Sequence, residues 1–260
     1  MAVALQHLLV EDDLPAVVIT LNNPARMNAL SMALMTELTA ELQRQAERAE
    51  VQVVVLKGAG RAFSAGHDLR EMVDKSLEEE KEVFETCELL MATVQAIPQP
   101  VIASVHGIAT AAGCQLVAAC DLAVASEEAT FATNGIRNGI FCYTPMVPVS
   151  RAIGRKRALE MVLTGNFIDA PTAERWGLVN RVVPAAELDA EVRSLAHQIG
   201  SLSPVAVRTG KAAFYAQIDK SQAQAYDLMT DAIARNALSE DAQEGMSAFL
   251  EKRKPTWRGR

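Results

Sequence analysis

Four short apolar runs, rich in β-branched residues, mark the first half of the chain at residues 16–21, 51–57, 101–105 and 122–125. Two are apolar on both faces, the pattern of strands covered on both sides of a sheet. Between them the period changes. Residues 31–48 open on Ser31, a good N-cap, and repeat Leu34, Leu38 and Leu42 at four-residue spacing, which predicts one buried helix face. Residues 78–97 predict a second helix with Val83, Leu90 and Val94 turned inward. Its acidic run Glu78-Glu79-Glu80 suits a first turn, and Pro98 and Pro100 end it. Strands alternating with helices predict an α/β core. From about residue 187 the pattern is helical only, over 187–200, 204–217, 221–238 and 241–253. Ala225, Leu228, Met229, Ala232 and Ile233 form one apolar stripe there. Such a tail either folds back on the core or buries itself against another copy. The expected division is a core over 1–194 and a helical oligomerisation region over 195–260.

Composition narrows the class. The 260 residues carry a formal net charge of −7, and 22% of them are charged. The densest basic cluster is Lys252-Arg253-Lys254, too short to track a nucleic-acid backbone, so no nucleic-acid partner is expected. No run of 18 apolar residues predicts a membrane span. The start, MAVALQHLLVEDDLP, has no basic region and is interrupted by Glu11, Asp12 and Asp13, so neither a signal nor a transit segment is read and a cytoplasmic location is expected. Cys87, Cys114, Cys120 and Cys142 show no C-x-x-C spacing and sit in or beside apolar runs, which predicts buried thiols.

Candidate chemistry concentrates in two segments. The first is a strand, then Gly58-Ala59-Gly60, then AFSAGHDL over 62–69. A dinucleotide fingerprint fails because Phe63 stands at the third glycine position. Ser64 lacks the G-x-S-x-G setting of a nucleophile. The second segment is a strand over 101–105, a His106-Gly107 turn, and small residues Ala109-Thr110-Ala111-Ala112-Gly113 that open a helix through Cys120. Small side chains at a helix start admit a ligand to unsatisfied N–H groups; the other reading is close helix–sheet packing alone. His7, His106 and His197 share no metal-ligand spacing, so no metal is expected.

Taken together, LNNPARMNALS (21–31), VVVLKGAGRAFSAGHDLREM (53–72), PVIASVHGIATAAGCQLVAACDL (100–122), EMVLTGNFIDAPTAERWGLVNRVVP (160–184) and EGMSAFLEKRKP (244–255) resemble the crotonase, or enoyl-CoA hydratase/isomerase, family over nearly the whole chain. FATNGIRNGIFCYTP (131–145) resembles its divergent enoyl-CoA hydratase domain-containing sub-branch. The resemblance implies an α/β crotonase-type spiral of ββα units with a C-terminal helical trimerisation region, an acyl-CoA thioester substrate, and a homotrimer or hexamer. It implies no cofactor beyond the coenzyme A that the substrate carries. Its oxyanion hole would be the backbone N–H groups of His67 and Ala112. Ala65, Gly66, Asp68, Leu69 and Arg70 would lie along the coenzyme A, with Arg26 on a phosphate. Phe249 and Lys252 match a position that reaches the coenzyme A of a neighbouring subunit. For Arg26, Arg70 and Lys252 the competing reading is a solvated surface charge.

The sequence departs from the family where hydration needs acids and bases. The two glutamate positions fall on Gln115 and Gly135, and a third carboxylate position on Tyr143; Glu127 and Glu128 are expected to face solvent. Two alternatives to a hydratase or isomerase follow. A decarboxylating branch also carries SAGHD and uses its histidine with a nearby tyrosine, here His67 and Tyr143, although Cys142 is the aligned residue. The other alternative is a non-catalytic acyl-CoA-binding protein.

Overall fold

A computed structural model describes residues 5–260; the first four residues of the N-terminal stretch read above for a leader lie outside it. The strands are β1 (Leu8–Asp13), β2 (Ala16–Leu21), β3 (Val53–Gly58), β4 (Ala62–Ser64), β5 (Val101–Val105), β6 (Ile108–Thr110), β7 (Leu122–Ser126), β8 (Thr130–Ala132), β9 (Ile168–Asp169) and β10 (Arg181–Val183). The helices are α1 (Met32–Ala46), α2 (Leu77–Ala96), α3 (Ala112–Ala119), α4 (Met146–Ile153), α5 (Arg155–Thr164), α6 (Ala170–Trp176), α7 (Leu188–Gly200), α8 (Pro204–Gln217), α9 (Gln222–Ala237) and α10 (Glu240–Glu251).

The order β3–β4–α2, β5–β6–α3, β7–β8–α4 is a repeated ββα unit, as the resemblance implied. The first strand of each unit joins a six-stranded sheet, β1-β2-β3-β5-β7-β10, and the second joins a four-stranded sheet, β4-β6-β8-β9. Pairing within both sheets is parallel except for β1 on β2 and β9 on β8. Every residue of β5 is buried, which is why its sequence shows no alternation. The strand β1, LLVEDD, lies at an edge and exposes Glu11 and Asp12 beside Leu9.

Local signals set the helix starts. The Ser31 hydroxyl accepts from Leu34 N, and Ser76 with Glu79 forms a capping box that starts α2. The apolar faces of α1 and α2 then enter the main core with Phe63 and Phe131. On the other side of the large sheet, α7 buries Leu188, Val192, Leu195 and Ala196 against Val53, Val55, Ile102 and Val124. The division expected between residues 194 and 195 therefore falls inside a helix that belongs to the core packing. Beyond it, α8 and α9 have no buried residues, and Leu228 and Ile233 of the predicted stripe are exposed. No helix among the described residues is long and apolar enough to cross a membrane.

One buried charge pair fastens this tail. Lys211 of α8 places Nζ 2.7 Å from Asp121 Oδ2 and donates to the carbonyls of Val94 and Gln99, both at 2.8 Å. Asp121 also accepts from Val101 N and from the Tyr215 hydroxyl. One side chain from α8 thus joins the end of α2, the start of β5 and the residue before β7. Burial pushes the Lys211 pKa below its ordinary value, against the pull of Asp121. Removing one partner leaves the other charge buried. Lys211→Ala is therefore expected to cost about 3–5 kcal/mol of stability, read as a lower urea midpoint. A loss near zero would show that α8 is held by other contacts.

Candidate active site

The loop that follows β4 is held by backbone and side-chain hydrogen bonds. Asn28, buried and at φ 52°, donates from Nδ2 to the carbonyls of Ala59 and Ala62 at 2.8 and 2.7 Å, clamping the β3–β4 turn. Ala65 N donates to Met27 O, and Leu30 N to Gly66 O. The Ser64 hydroxyl donates to Asn28 O at 2.9 Å and is fully buried, so it frames the loop and is not presented as a nucleophile.

Against this loop sits the start of α3, and glycines set the separation. A Cβ on Gly113 would overlap the Ser64 carbonyl. A Cβ on Gly66 would lie 2.8 Å from Ala111 Cβ, 2.9 Å from Thr110 O and 3.2 Å from Ala112 N. Each candidate donor follows a residue with positive φ: Gly66 at 91° precedes His67, and Ala111 at 49° precedes Ala112. For alanine that conformation is strained, and such strain persists where surrounding contacts fix it; here Ala111 N donates to Ala132 O at 2.9 Å. The Leu30–His67 bridge uses the residues flanking the His67 N–H, and Ala112 is the first residue of its helix. Neither N–H has a hydrogen-bond partner among the described residues.

Both residues line a cavity of about 660 Å³ together with Arg26, Ala65, Leu69, Phe84, Gly135 and Tyr143, among others. Its wall carries no aspartate or glutamate among the described residues. Glu127 and Glu128 are exposed, as expected. The remaining predicted residues are spread more widely. Gln115 is not on the wall; it is buried, and its Oε1 faces Cys87 Sγ at 3.9 Å. Asp68 is buried and bonded to Arg26 at 3.1 Å and to Arg70 at 2.8 Å, so these three charges are spent largely on one another. The two guanidinium groups hold the Asp68 carboxyl below the usual range, Arg70 more than Arg26, although burial works the other way. Gly66 is buried and does not line the cavity. Tyr143 is 67% exposed at the rim, its ring 5.0 Å from that of Phe141. Phe249 and Lys252 are exposed in and after α10, away from this wall.

The His67 ring packs edge-on against Phe84 at 5.5 Å, and both ring nitrogens are buried without a hydrogen-bond partner. Burial pushes its pKa below the ordinary histidine value, opposed by the Leu30 backbone. Cys142 lines the cavity, and burial raises its thiol pKa. Several wall residues went unread in the sequence: Met72, Phe84 and Phe141 give the cavity its apolar character. Phe84 lies just off the inward stripe of α2, and nothing in the helical period singles it out.

A family model described as enoyl-CoA hydratase/isomerase matches residues 15–260. Enoyl-CoA hydratase domain-containing protein 3, mitochondrial, of Mus musculus is 46% identical over 240 residues, which is 92% of this chain and 80% of that protein. Its Homo sapiens counterpart is 45% identical over 92% of this chain and 79% of its own length. Among solved structures, an enoyl-CoA hydratase of Mycobacterium smegmatis superposes with a TM-score of 0.95 at 48% identity, covering 97% of this chain and 99% of that one. Human enoyl coenzyme A hydratase domain-containing protein 3 gives a TM-score of 0.95 at 43% identity, over 97% of this chain and all of that one.

The buried imidazole makes a pH prediction. A histidine in the unfolded chain takes up a proton near pH 6.5, whereas folded His67 does so at lower pH. The unfolded state therefore binds more protons as pH falls below that value, and stability drops until the folded pKa is passed. The expected result is a His67 ring signal in NMR that titrates below pH 6.5, with His67→Gln flattening the loss of stability on acidification. Titration at or above that value would contradict a buried neutral ring.

Proposed function

The chain belongs to the enoyl-CoA hydratase/isomerase family, and on that premise we propose that it binds an acyl-CoA thioester with the carbonyl oxygen between the N–H groups of His67 and Ala112. The observation that carries this reading is the pair of unpartnered donors, brought together by the glycine contacts at residues 66 and 113 on the wall of one cavity. A thioester carbonyl has little charge at rest and gains it as an enolate or tetrahedral oxyanion. Fixed donors aimed at that charge are worth roughly 3–4 kcal/mol each. The positive end of α3 adds to the same potential.

Proton transfer is the weaker half of this site. Hydration needs a group that takes a proton from water and one that delivers a proton to carbon, and each contributes about 10²–10⁴ in rate. Gln115 faces Cys87 and does not line the cavity. At Gly135 a Cβ would meet Ile140 O at 2.7 Å and Cys142 Sγ at 3.0 Å, so the backbone has closed over the space a side chain would need. The reading is an acyl-CoA-processing protein that stabilises the thioester oxyanion and hydrates enoyl thioesters slowly. Decarboxylation through His67 draws on the two unpartnered ring nitrogens. It is less well supported, because burial keeps the ring neutral and Arg26, the cation on the wall, is bonded to Asp68. Pure binding without turnover is the remaining alternative.

We read the protein as cytoplasmic, whereas the mouse and human relatives are named as mitochondrial. The exposed α8–α9 face fits self-association into a trimer or hexamer, with Phe249 and Lys252 reaching a neighbour's site.

The test pairs binding with turnover. A ¹³C-labelled thioester carbonyl is expected to shift to lower infrared frequency when bound. Gly66→Ala, which combines positive φ with the contacts to Ala111 and Ala112, is expected to abolish that shift. Crotonyl-CoA hydration followed by absorbance is expected to be at least about 10²-fold slower than in a relative with both glutamates, and Gly135→Glu is not expected to restore it. Absence of a carbonyl shift would overturn the oxyanion assignment. Carbon dioxide release from malonyl-type thioesters at a rate above hydration would favour the decarboxylase reading instead.

A further inference from the structure

We propose that a second site, at the carboxyl ends of β3 and β5 where α7 begins, binds a phosphate group. It stands apart from the cavity described above and does not rest on the acyl-CoA reading. A cavity of about 200 Å³ lies there, on the α7 face of the large sheet.

Strand register builds its floor. Lys57 and Ser104 are direct partners across β3 and β5. Val55 and Ile102 pack against α7, and residues two apart on a strand share a face, so Lys57 and Ser104 lie on that face too. Ser104 is 2% exposed and lines the cavity, and its hydroxyl has no hydrogen-bond partner among the described residues. A buried hydroxyl ordinarily has one, and the cavity is where a partner can sit. His106, two residues further on, donates from Nε2 to the Gly60 carbonyl at 2.8 Å, which leaves Nδ1 without a partner at the rim.

The opposite wall is the start of α7. A single turn over Ala185–Glu187 runs directly into the helix, and neither start carries a side-chain cap. The N–H groups of Ala185 and Ala186 have no partner among the described residues, and both residues line the cavity. Unsatisfied N–H groups and the dipole of a 13-residue helix favour an anion at this end.

Charge and size then select the ligand. Lys57 adds a full positive charge from the sheet side. The carboxylate among the described wall residues is Asp189, whose Oδ1 lies 3.5 Å from Lys57 Nζ. Its side chain is 75% exposed, and exposed pairs of this kind contribute little, so Asp189 can turn to solvent when an anion enters. At roughly 30 Å³ per heavy atom, the cavity takes about six or seven atoms, which a phosphate with one ester carbon fills. Donors from the sheet, from Lys57 and from the helix start approach from separate directions, as a tetrahedral acceptor requires. Ligands of parallel sheets collect at the carboxyl ends of strands for the same reasons.

The test is a titration of the full-length protein, with ¹³C-labelled histidine rings, by inorganic phosphate at fixed ionic strength. The His106 signal is expected to shift and saturate. Lys57→Gln is expected to weaken binding about tenfold or more, and Ser104→Val about fivefold. Asp189→Asn removes the opposing charge and is expected to tighten binding about threefold. Should Ser104→Val fail to fold, the Lys57 and Asp189 variants, both at partly or fully exposed side chains, still decide the matter. Glycerol phosphate as second titrant separates the sources. Equal binding assigns the site to a phosphate ester, and binding of inorganic phosphate alone assigns it to the free ion. A His106 signal that does not move would overturn the proposal. So would Lys57→Gln binding phosphate as tightly as the parent protein, the result expected if phosphate sat at Arg26 or Arg70 instead.

Discussion

The close approach of α3 to the loop after β4 is the constraint on which the rest of this site depends. At that contact backbone meets backbone, with Gly113 against the Ser64 carbonyl and Gly66 against Ala111 and Ala112. A methyl group at either glycine would separate the two elements. The separation of two N–H donors is therefore set by the absence of side chains, in a region where packing leaves little room to adjust. The strained φ of Ala111 belongs to the same arrangement, since it turns the chain between β6 and the start of α3, where the Ala112 N–H has no partner among the described residues.

Much of the surrounding structure serves to hold that contact. Asn28 fixes the turn between β3 and β4 from beneath, Leu30 ties down Gly66 O, and Thr110 bonds the Ala65 carbonyl across the gap at 3.1 Å. The ββα repeat explains why these pieces meet at all. Each unit sends one strand to the large sheet and one to the small sheet, so β4 and β6 become parallel neighbours and the segments after them open on the same side. The buried Lys211–Asp121 pair fastens the helical tail near the end of α3, between the start of β5 and β7. That places a charge-dependent joint at the far end of α3 from Ala112.

What was legible in the sequence followed the length and regularity of each element. The long strands β2, β3, β5 and β7 and the helices α1, α2 and α7 to α10 showed through apolar period, caps and proline stops, within a residue or two at most ends. The strands of the small sheet, two or three residues each, are too short to express a period, and β6 vanished into the run of small residues before α3. The close approach of the two segments was legible because glycine and alanine clusters carry a steric meaning, whereas the choice of His67 and Ala112 as donors came from the resemblance alone. Side-chain directions were not. Alignment put Gln115 at the reaction centre, whereas a residue on the first turns of a helix has neighbours set by packing, and here Cys87 on α2 is what it faces. Arg26, Asp68 and Arg70, expected along the coenzyme A, also form one charge cluster that the sequence did not show, because a buried aspartate needs neutralising partners.

The two halves of the site answer to different parts of the chain, and this separates their fates. The oxyanion hole we propose would be made of backbone held by glycines and hydrogen bonds, and would be kept as long as the fold is kept. Acid–base groups are single side chains projecting into the cavity, and any of them can be exchanged without disturbing the frame. At residue 135 there is little room for any side chain. The loop from Asn134 to Tyr143 packs on this glycine, with Ile140 O and Cys142 Sγ where a side chain would extend. Both residues line the cavity with Phe141, so the same backbone closure that removes room for a base supplies apolar wall. On the proposed reading, a wall that is apolar where an acid or base would be needed favours holding the thioester over moving protons on it. Binding energy spent equally on the ground and transition states of such a thioester would lower KM without raising kcat, so only contacts that strengthen as the oxyanion forms would speed the reaction.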